Sequence, residues 1–341
     1  MKRLLPVALT LLLLTSAVMA GLWHQYQQFL QTPMHIVVPG LVVIVEPGTN
    51  IRSVVAKLER QGVTQLDWRW RLLSRLKQVT IKAGEYELIP GLSPPGLLDL
   101  LASGKVVSYR FTIVEGWSVK QLLSALSMDP VLQHSVANVA ELEGLAGLPA
   151  GHPEGWFLPE TYVFIRGDSD LQILRRAYND MVENLAMVWA GRDAGLPYET
   201  PYELLIMASI IEKETSLQSE RADIAGVFVR RLLKHWRLET DPTVIYGMGD
   251  AYQGNIRRAD LKMDTPYNTY TRHGLPPTPI ALAGLASLQA AAHPAGGDAM
   301  FFVANGQGGH TFSSTLEAHN TAVRQLIRQS RDRPDEPGTR Q

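Results

Sequence analysis

Two glutamates, Glu212 and Glu214, close a nearly unbroken apolar run that contains Leu204, Leu205, Met207, Ala208, Ile210 and Ile211. On a 3.6-residue repeat Glu212 shares a face with Leu205, Ala208 and Ser209, and Glu214 shares one with Met207, Ile210 and Ile211. A carboxyl on such a face is partly desolvated, and burial raises its pKa. A carboxyl kept neutral near pH 7 is the group needed to protonate a glycosidic oxygen. Spacing leaves two matters open. It does not choose between the two glutamates, and it equally allows both to be the solvated last turn of a core helix, loosely paired with Lys213.

Three loops place polar groups beside aromatics: EGWFLPETY at 154–162, LETDPT at 238–243 and DTPYNTY at 264–270. Aromatic faces stack on pyranose rings, while amides and carboxylates bind hydroxyl and N-acetyl groups. Taken singly, each loop is also an ordinary capped or proline-terminated turn.

Other chemistries find less in the chain. It has no cysteine, which excludes disulfides, thiolate metal sites and cysteine nucleophiles. The nine histidines form no HExxH pair; the nearest grouping is His310 with His319, and His319 falls on an apolar stripe. No metal and no cofactor is expected. Ser74-Arg75-Leu76-Lys77 spells S-x-x-K without any following K-T-G and reads as helix surface. Neither G-x-S-x-G nor a Walker loop occurs. With 32 basic against 33 acidic residues, a nucleic-acid partner is disfavoured.

The elements that must position these residues follow from periodicity and caps. The chain has 341 residues, enough for about two domains at roughly 150 residues each. Residues 4–23 carry no charge and are long enough to cross a bilayer. Lys2 and Arg3 precede them and the next Lys or Arg is Arg52, which predicts a cytoplasmic N-terminus with the bulk of the chain outside. The competing reading is a signal peptide cleaved between Ala20 and Gly21. A polar spacer is expected around 25–33, then a strand over 35–45 and a helix capped by Asn50. The unit of strand, V/I-E/P-G turn and leucine-rich helix recurs at Gly91 and Gly116. Residues 42–104 resemble a LysM-like domain, a fold that holds N-acetyl sugars of cell-wall glycans.

Beyond residue 154 the pattern turns to longer helices. They are expected at 171–189, from the Thr200-Pro201 capping box, at 220–234 and at 281–292, with short strands at 300–304 and 310–312 and a last helix capped by Ser314 with Glu317. The fold class is therefore α+β: a single N-terminal membrane helix, a small LysM-like β-α module and a mainly helical catalytic domain with a short sheet. The expected division is an anchor at 1–23, a linker at 24–38, the module at 39–107, the catalytic domain at 108–330 and a frayed tail at 331–341.

Six strings, EGWFLPETYVF (154–164), ASIIEKET (208–215), LETDPTVIYG (238–247), DTPYNTY (264–270), GLPPTPI (274–280) and GGHTFSSTLEAHN (308–320), have the order and spacing of the endolytic murein transglycosylase (YceG-like, MltG) family. The chain resembles that family over about 42–327, with two departures: Thr265 where serine is commoner, and Leu217-Gln218-Ser219 in place of a more alanine-rich stretch.

The resemblance implies an inner-membrane enzyme facing the periplasm that cuts peptidoglycan glycan strands internally and terminates nascent strands, with peptidoglycan synthases as neighbours. It also puts the essential acid on Glu212. In the implied reaction Glu212 protonates the oxygen between N-acetylmuramic acid and N-acetylglucosamine. Its carboxylate then takes the proton from the muramic acid 6-hydroxyl, and a 1,6-anhydro ring forms. Glu160, Asp241, Tyr267 and Asn268 are expected to line the cleft. A two-carboxylate muramidase, with Asp241 or Glu160 as the second group, and a non-catalytic glycan-binding scaffold are the alternatives.

Overall fold

The computed structural model describes residues 4–142 and 151–332. Lys2 and Arg3 lie outside them, as does the expected tail from residue 333 onward. The chain divides into two compact units, Met1–Tyr109 with Val163–Asp168, and Arg110–Tyr162 with Ser169–Gln341.

In the first unit, α1 (Leu4–Gln31) is apolar and exposed from residue 7 to residue 25. It runs on through most of the expected spacer, because no glycine or proline interrupts it after Gly21 and its end has something to pack on. Tyr26 and Phe29 are buried, Tyr26 against Trp68 with ring centroids 6.3 Å apart and Phe29 edge-on to Trp70 at 5.3 Å. Then come β1 (Leu41–Val45), α2 (Ile51–Arg60), α3 (Trp68–Lys77), β2 (Gly84–Leu88) and α4 (Pro94–Ser103). β1 pairs antiparallel with β2, Val43 opposite Tyr86. The strand is shorter than the β-branched run suggests, since Pro39 has no N–H to donate and Gly40 turns the chain with φ 78°. Val54 and Leu58 of α2 meet Val43, Tyr86, Leu97 and Leu101 in one core. Leu58 has no exposed surface, so Leu58→Ala would cost about 2–5 kcal/mol.

The repeated strand-turn-helix unit is present three times: β1 to α2, β2 to α4, and β3 (Ser108–Thr112) to α5 (Val119–Ser127). Each turn has a glycine in the left-handed region, Gly48, Gly91 and Gly116, with φ between 76° and 88°. Two residues later stands the helix cap: Asn50, Ser93 or Ser118 accepts a bond from the backbone N–H three positions on. The third turn carries Glu115, which matters below.

The second unit continues with a short α6 (Val139–Leu142) and α7 (Asp170–Gly191); between them in the chain lies β4 (Thr161–Ile165), which pairs with β3 and whose residues from Val163 on belong to the first unit. Next come α8 (Pro201–Glu214), α9 (Arg221–Leu233), α10 (Asp241–Met248), α11 (Leu285–Ala292), the hairpin β5 (Phe301–Ala304) with β6 (His310–Ser313), and α12 (Leu316–Asp332). α8 starts on the full capping box, Thr200 and Glu203 bonding reciprocally with Pro201 at the first helical position. Every residue from 204 to 212 is buried, among α7, α9 and α11. A helix apolar on all sides is one a core surrounds, and here the burial reaches Glu212 in the last turn.

Two boundaries differ from the periodicity. The last helix is capped by Thr315, whose Oγ1 accepts from Ala318 N–H, rather than by Ser314. α11 begins only at Leu285; residues 281–284, apolar enough to read as helix, are extended. Their backbone groups are taken by other partners: Leu282 N–H donates to Trp117 O at 2.7 Å, and Gly116 N–H donates to Leu282 O at 2.9 Å.

Candidate active site

Three pieces of chain converge on the end of α8. Glu212 has 4% of its side chain exposed. Its Oε2 accepts from Gly284 N–H at 2.9 Å and its Oε1 accepts from Arg221 Nη2 at 2.9 Å. The same Nη2 donates to Glu115 Oε2 at 3.0 Å. The extended stretch 281–284, locked to the Glu115 turn on one side and to α8 through Ile280 N–H and Ser209 Oγ on the other, aims Gly284 N–H at the carboxylate.

Burial pushes the Glu212 carboxyl up from its ordinary pKa. Gly284 N–H, Arg221 and the buried Ser287 hydroxyl, which lies nearby without completing a hydrogen bond, pull the other way, and the Glu115 charge adds to the rise. Glu212 is thus not a solvated last turn. Lys213 is exposed and spends its Nζ on Gly116 O at 3.1 Å.

Glu214 faces different surroundings. Its Oε1 accepts from Thr240 Oγ1, and its pKa is pushed up to about 6 by burial, with the Asp241 charge adding and Thr240, His310 and Arg231 opposing. A third carboxyl, Glu154, is 4% exposed and is pushed up to about 7 by burial, against hydrogen bonds from Val119 N–H at 3.0 Å and Tyr246 OH at 3.2 Å. The tight turn at Gly155 (φ 85°) sets it there; a Cβ at that glycine would lie 2.5 Å from the Pro279 ring.

The four residues expected to line a cleft fall in distinct places. Tyr267 is half-buried, edge-on to the Tyr246 ring at 5.0 Å, with its hydroxyl 2.9 Å from Thr278 Oγ1. This links it through Tyr246 to Glu154. Asp241 is exposed at the start of α10 and accepts from Tyr270 OH at 2.7 Å, beside Glu214. Asn268 is 1% exposed, its Nδ2 donating to the carbonyls of Asp260, Leu261 and Met263 and its Oδ1 accepting from Tyr270 N–H. Its amide holds the loop that presents Tyr267 and Tyr270. Glu160 is exposed at the start of β4, and its Oε1 accepts from Thr161 N–H. None of the four bonds directly to Glu212.

The YceG-like family model matches residues 43–325, which include Glu154, Glu212, Glu214 and Arg221. The chain belongs to the YceG-like family. This YceG-like chain is 30% identical over 305 residues to a protein of Bacillus subtilis named endolytic murein transglycosylase, covering 82% of this chain and 83% of that one. It is 25% identical over 327 residues to a protein of the same name from Streptococcus pneumoniae strain R6, covering 84% of this chain but 58% of the streptococcal one. A 2.6 Å crystal structure of a yceG-like protein from Listeria monocytogenes is similar to it with a TM-score of 0.55 and 30% identity, over 83% of this chain and 98% of that one.

Periodicity carries no sign that Arg221, Glu115 or Gly284 are neighbours of Glu212. Arg221 lies in the next helix with no spacing signal, and Glu115 is 97 positions before Glu212. The V-E-G turn does not single Glu115 out, since the first turn carries a glutamate as well, Glu46.

Proposed function

We propose that this chain is an endolytic murein transglycosylase with Glu212 as its acid and base. The observation that carries the reading is the Glu212 carboxyl itself, buried at the end of α8 with one oxygen on Gly284 N–H and the other on Arg221. Burial favours the protonated form that gives a proton to the glycosidic oxygen between N-acetylmuramic acid and N-acetylglucosamine. Once the proton has left, the same two donors stabilise the carboxylate, which then removes the proton of the muramic acid 6-hydroxyl. That hydroxyl attacks the anomeric carbon of its own sugar and closes a 1,6-anhydro ring. One protein carboxyl suffices because the nucleophile is part of the substrate and is already near its target. Cutting within a strand in this way terminates a nascent glycan.

Tyr267, on its loop, and Asp241, at the start of α10, serve as contacts to the sugars. Glu160 is a more distant contact at the edge of the unit, and Asn268 contributes by fixing the shape of the Tyr267 loop. In the first unit the order β1, α2, α3, β2 with antiparallel pairing supports a LysM-like glycan-binding module. A cavity of 430 Å³ there is bordered by Thr49, Asn50 and Ile51 on one side and by Val79, Thr80 and Ile81 on the other, and it suits an N-acetyl sugar. The helix Val7–Gln31, exposed from residue 7 to residue 25, serves as a single-pass inner-membrane anchor that holds both units in the periplasm, beside the peptidoglycan synthases that supply nascent strands.

The test is mass spectrometry of peptidoglycan digested with the full chain in detergent, beside Glu212→Gln. Anhydro-muropeptides from the wild type and none from the variant are expected. Reducing ends instead would mean hydrolysis with a second carboxylate, and absence of cleavage by either protein would leave a glycan-binding scaffold.

A further inference from the structure

Arg221 Nη2 is shared. It lies 2.9 Å from Glu212 Oε1 and 3.0 Å from Glu115 Oε2, so one amino group with two hydrogens serves two carboxylates. Arg221 is buried, and its Nε has no acceptor. Glu115 has 48% of its side chain exposed, yet its carboxylate is closely seated. A Cβ at Gly284 would come within 2.1 Å of Glu115 Oε1, and Gly284 has an ordinary φ of −74°. Glycine is needed at 284 for room, and the room is taken by Glu115. The backbone N–H of that same residue holds Glu212.

We propose that Glu115 is a positioning residue for the reaction, holding the Arg221 charge so that Glu212 can carry its proton. The trio has a net charge of −1 with Glu212 ionised and 0 with Glu212 protonated. In the protonated state Arg221 stays neutralised by Glu115, so no uncompensated cation faces the acid. Without the Glu115 charge, Arg221 acts on Glu212 alone and draws the proton off it. The groups facing Glu212 are Arg221 from α9, Glu115 from the turn before α5, and Gly284 N–H and Ser287 from the entry to α11. Lys213, next to it on α8, has its ammonium on Gly116 O. Among the described residues, Glu115 is the one other carboxylate that bonds to the same cation, and it offsets that cation's pull on the proton.

The proposal rests on Glu212 being the acid, and its test separates the two ideas. The full chain in detergent, labelled with ¹³C-glutamate, is titrated by NMR as wild type, Glu115→Gln and Gly284→Ala, with the Glu212 signal assigned by its loss in Glu212→Gln. Glu115→Gln removes the charge, and Gly284→Ala evicts the carboxylate while leaving every charged group present. In both, the Glu212 midpoint is expected to fall by about one unit or more. The alkaline limb of the rate of anhydro-end formation should move by the same amount. In Glu115→Gln, turnover above that limb then drops about tenfold, and turnover well below it keeps its wild-type value. An unmoved midpoint, or a loss of rate equal at every pH, would overturn the role of Glu115 and leave it a structural contact. A midpoint that moves in a protein releasing no anhydro ends would uphold the coupling and overturn the assigned reaction.

Discussion

Glu212 and Glu214 are two positions apart on the same helix, yet their carboxyls meet different partners: Glu212 meets Arg221 and Gly284 N–H, Glu214 meets Thr240. Two residues on a helix are rotated by about 200°, so neighbours in sequence report to opposite sides of the core. The two isosteric variants should therefore part company. Glu212→Gln is expected to lose about 10²–10⁴-fold in anhydro-end formation, the usual contribution of a general acid. Glu214→Gln should stay within about tenfold of wild type, no more than a one-unit change in the pKa of Glu212 would cause. Rates of muropeptide release measured side by side decide this, and equal losses would mean the pair acts as one unit.

The Glu154 carboxyl makes stability depend on pH in a direction opposite to that of an ion-paired acid. Its pKa is raised from 4.5 to about 7 in the fold, so between those values the folded state binds more protons than the unfolded one. Stability is then greatest below about pH 4.5 and falls as pH rises toward 7, by up to about 3 kcal/mol for this group at 1.36 kcal/mol per unit. Glu214, raised to about 6, pulls the same way. Thermal unfolding across pH 4.5–7.5 should show a decline in wild type and a shallower one in Glu154→Gln. Parallel curves for the two proteins would contradict it.

Gly155 sets the turn that buries Glu154, and its φ of 85° and the 2.5 Å approach of Pro279 both argue against a side chain. Gly155→Ala combines a left-handed backbone penalty with overpacking, about 2–4 kcal/mol together. Chemical denaturation should show a lower midpoint with an unchanged slope. A loss under about 0.5 kcal/mol would show that the loop yields easily.

Asn268 gives its whole amide to the backbone of its own loop. Asn268→Ala would remove the bonds to the carbonyls of Asp260, Leu261 and Met263 and to the Tyr270 N–H, costing about 1–3 kcal/mol. The expected signature is a lower melting temperature with turnover per folded molecule reduced only as far as Tyr267 is misplaced. A variant of full stability that no longer binds glycan would make the amide a sugar ligand instead.

Much of the local structure was legible because it is decided locally. The caps at Asn50, Ser93, Ser118 and Thr200 and the glycines two residues before the first three follow from which residues tolerate left-handed φ and which satisfy free N–H groups. The apolar run ending in Glu212 likewise announced a core helix with an acid at its end. Local rules stopped where a distant partner competed for backbone bonds. Residues 281–284 have a helical pattern, but their N–H and C=O groups go to Trp117, Gly116 and Glu212. Residues 25–31 are polar enough to read as a spacer, but Trp68 and Trp70 give Tyr26 and Phe29 a surface and the helix continues.

By itself, then, the sequence determined most of the long helices, several caps, the repeated turn and a pair of candidate acids. Only the tertiary structure decided which acid sits with an arginine, because that depends on Glu115, Arg221 and Gly284, drawn from three separate stretches of chain. Helical spacing fixes angles within one element; burial and charge at a carboxyl are set by the elements packed against it.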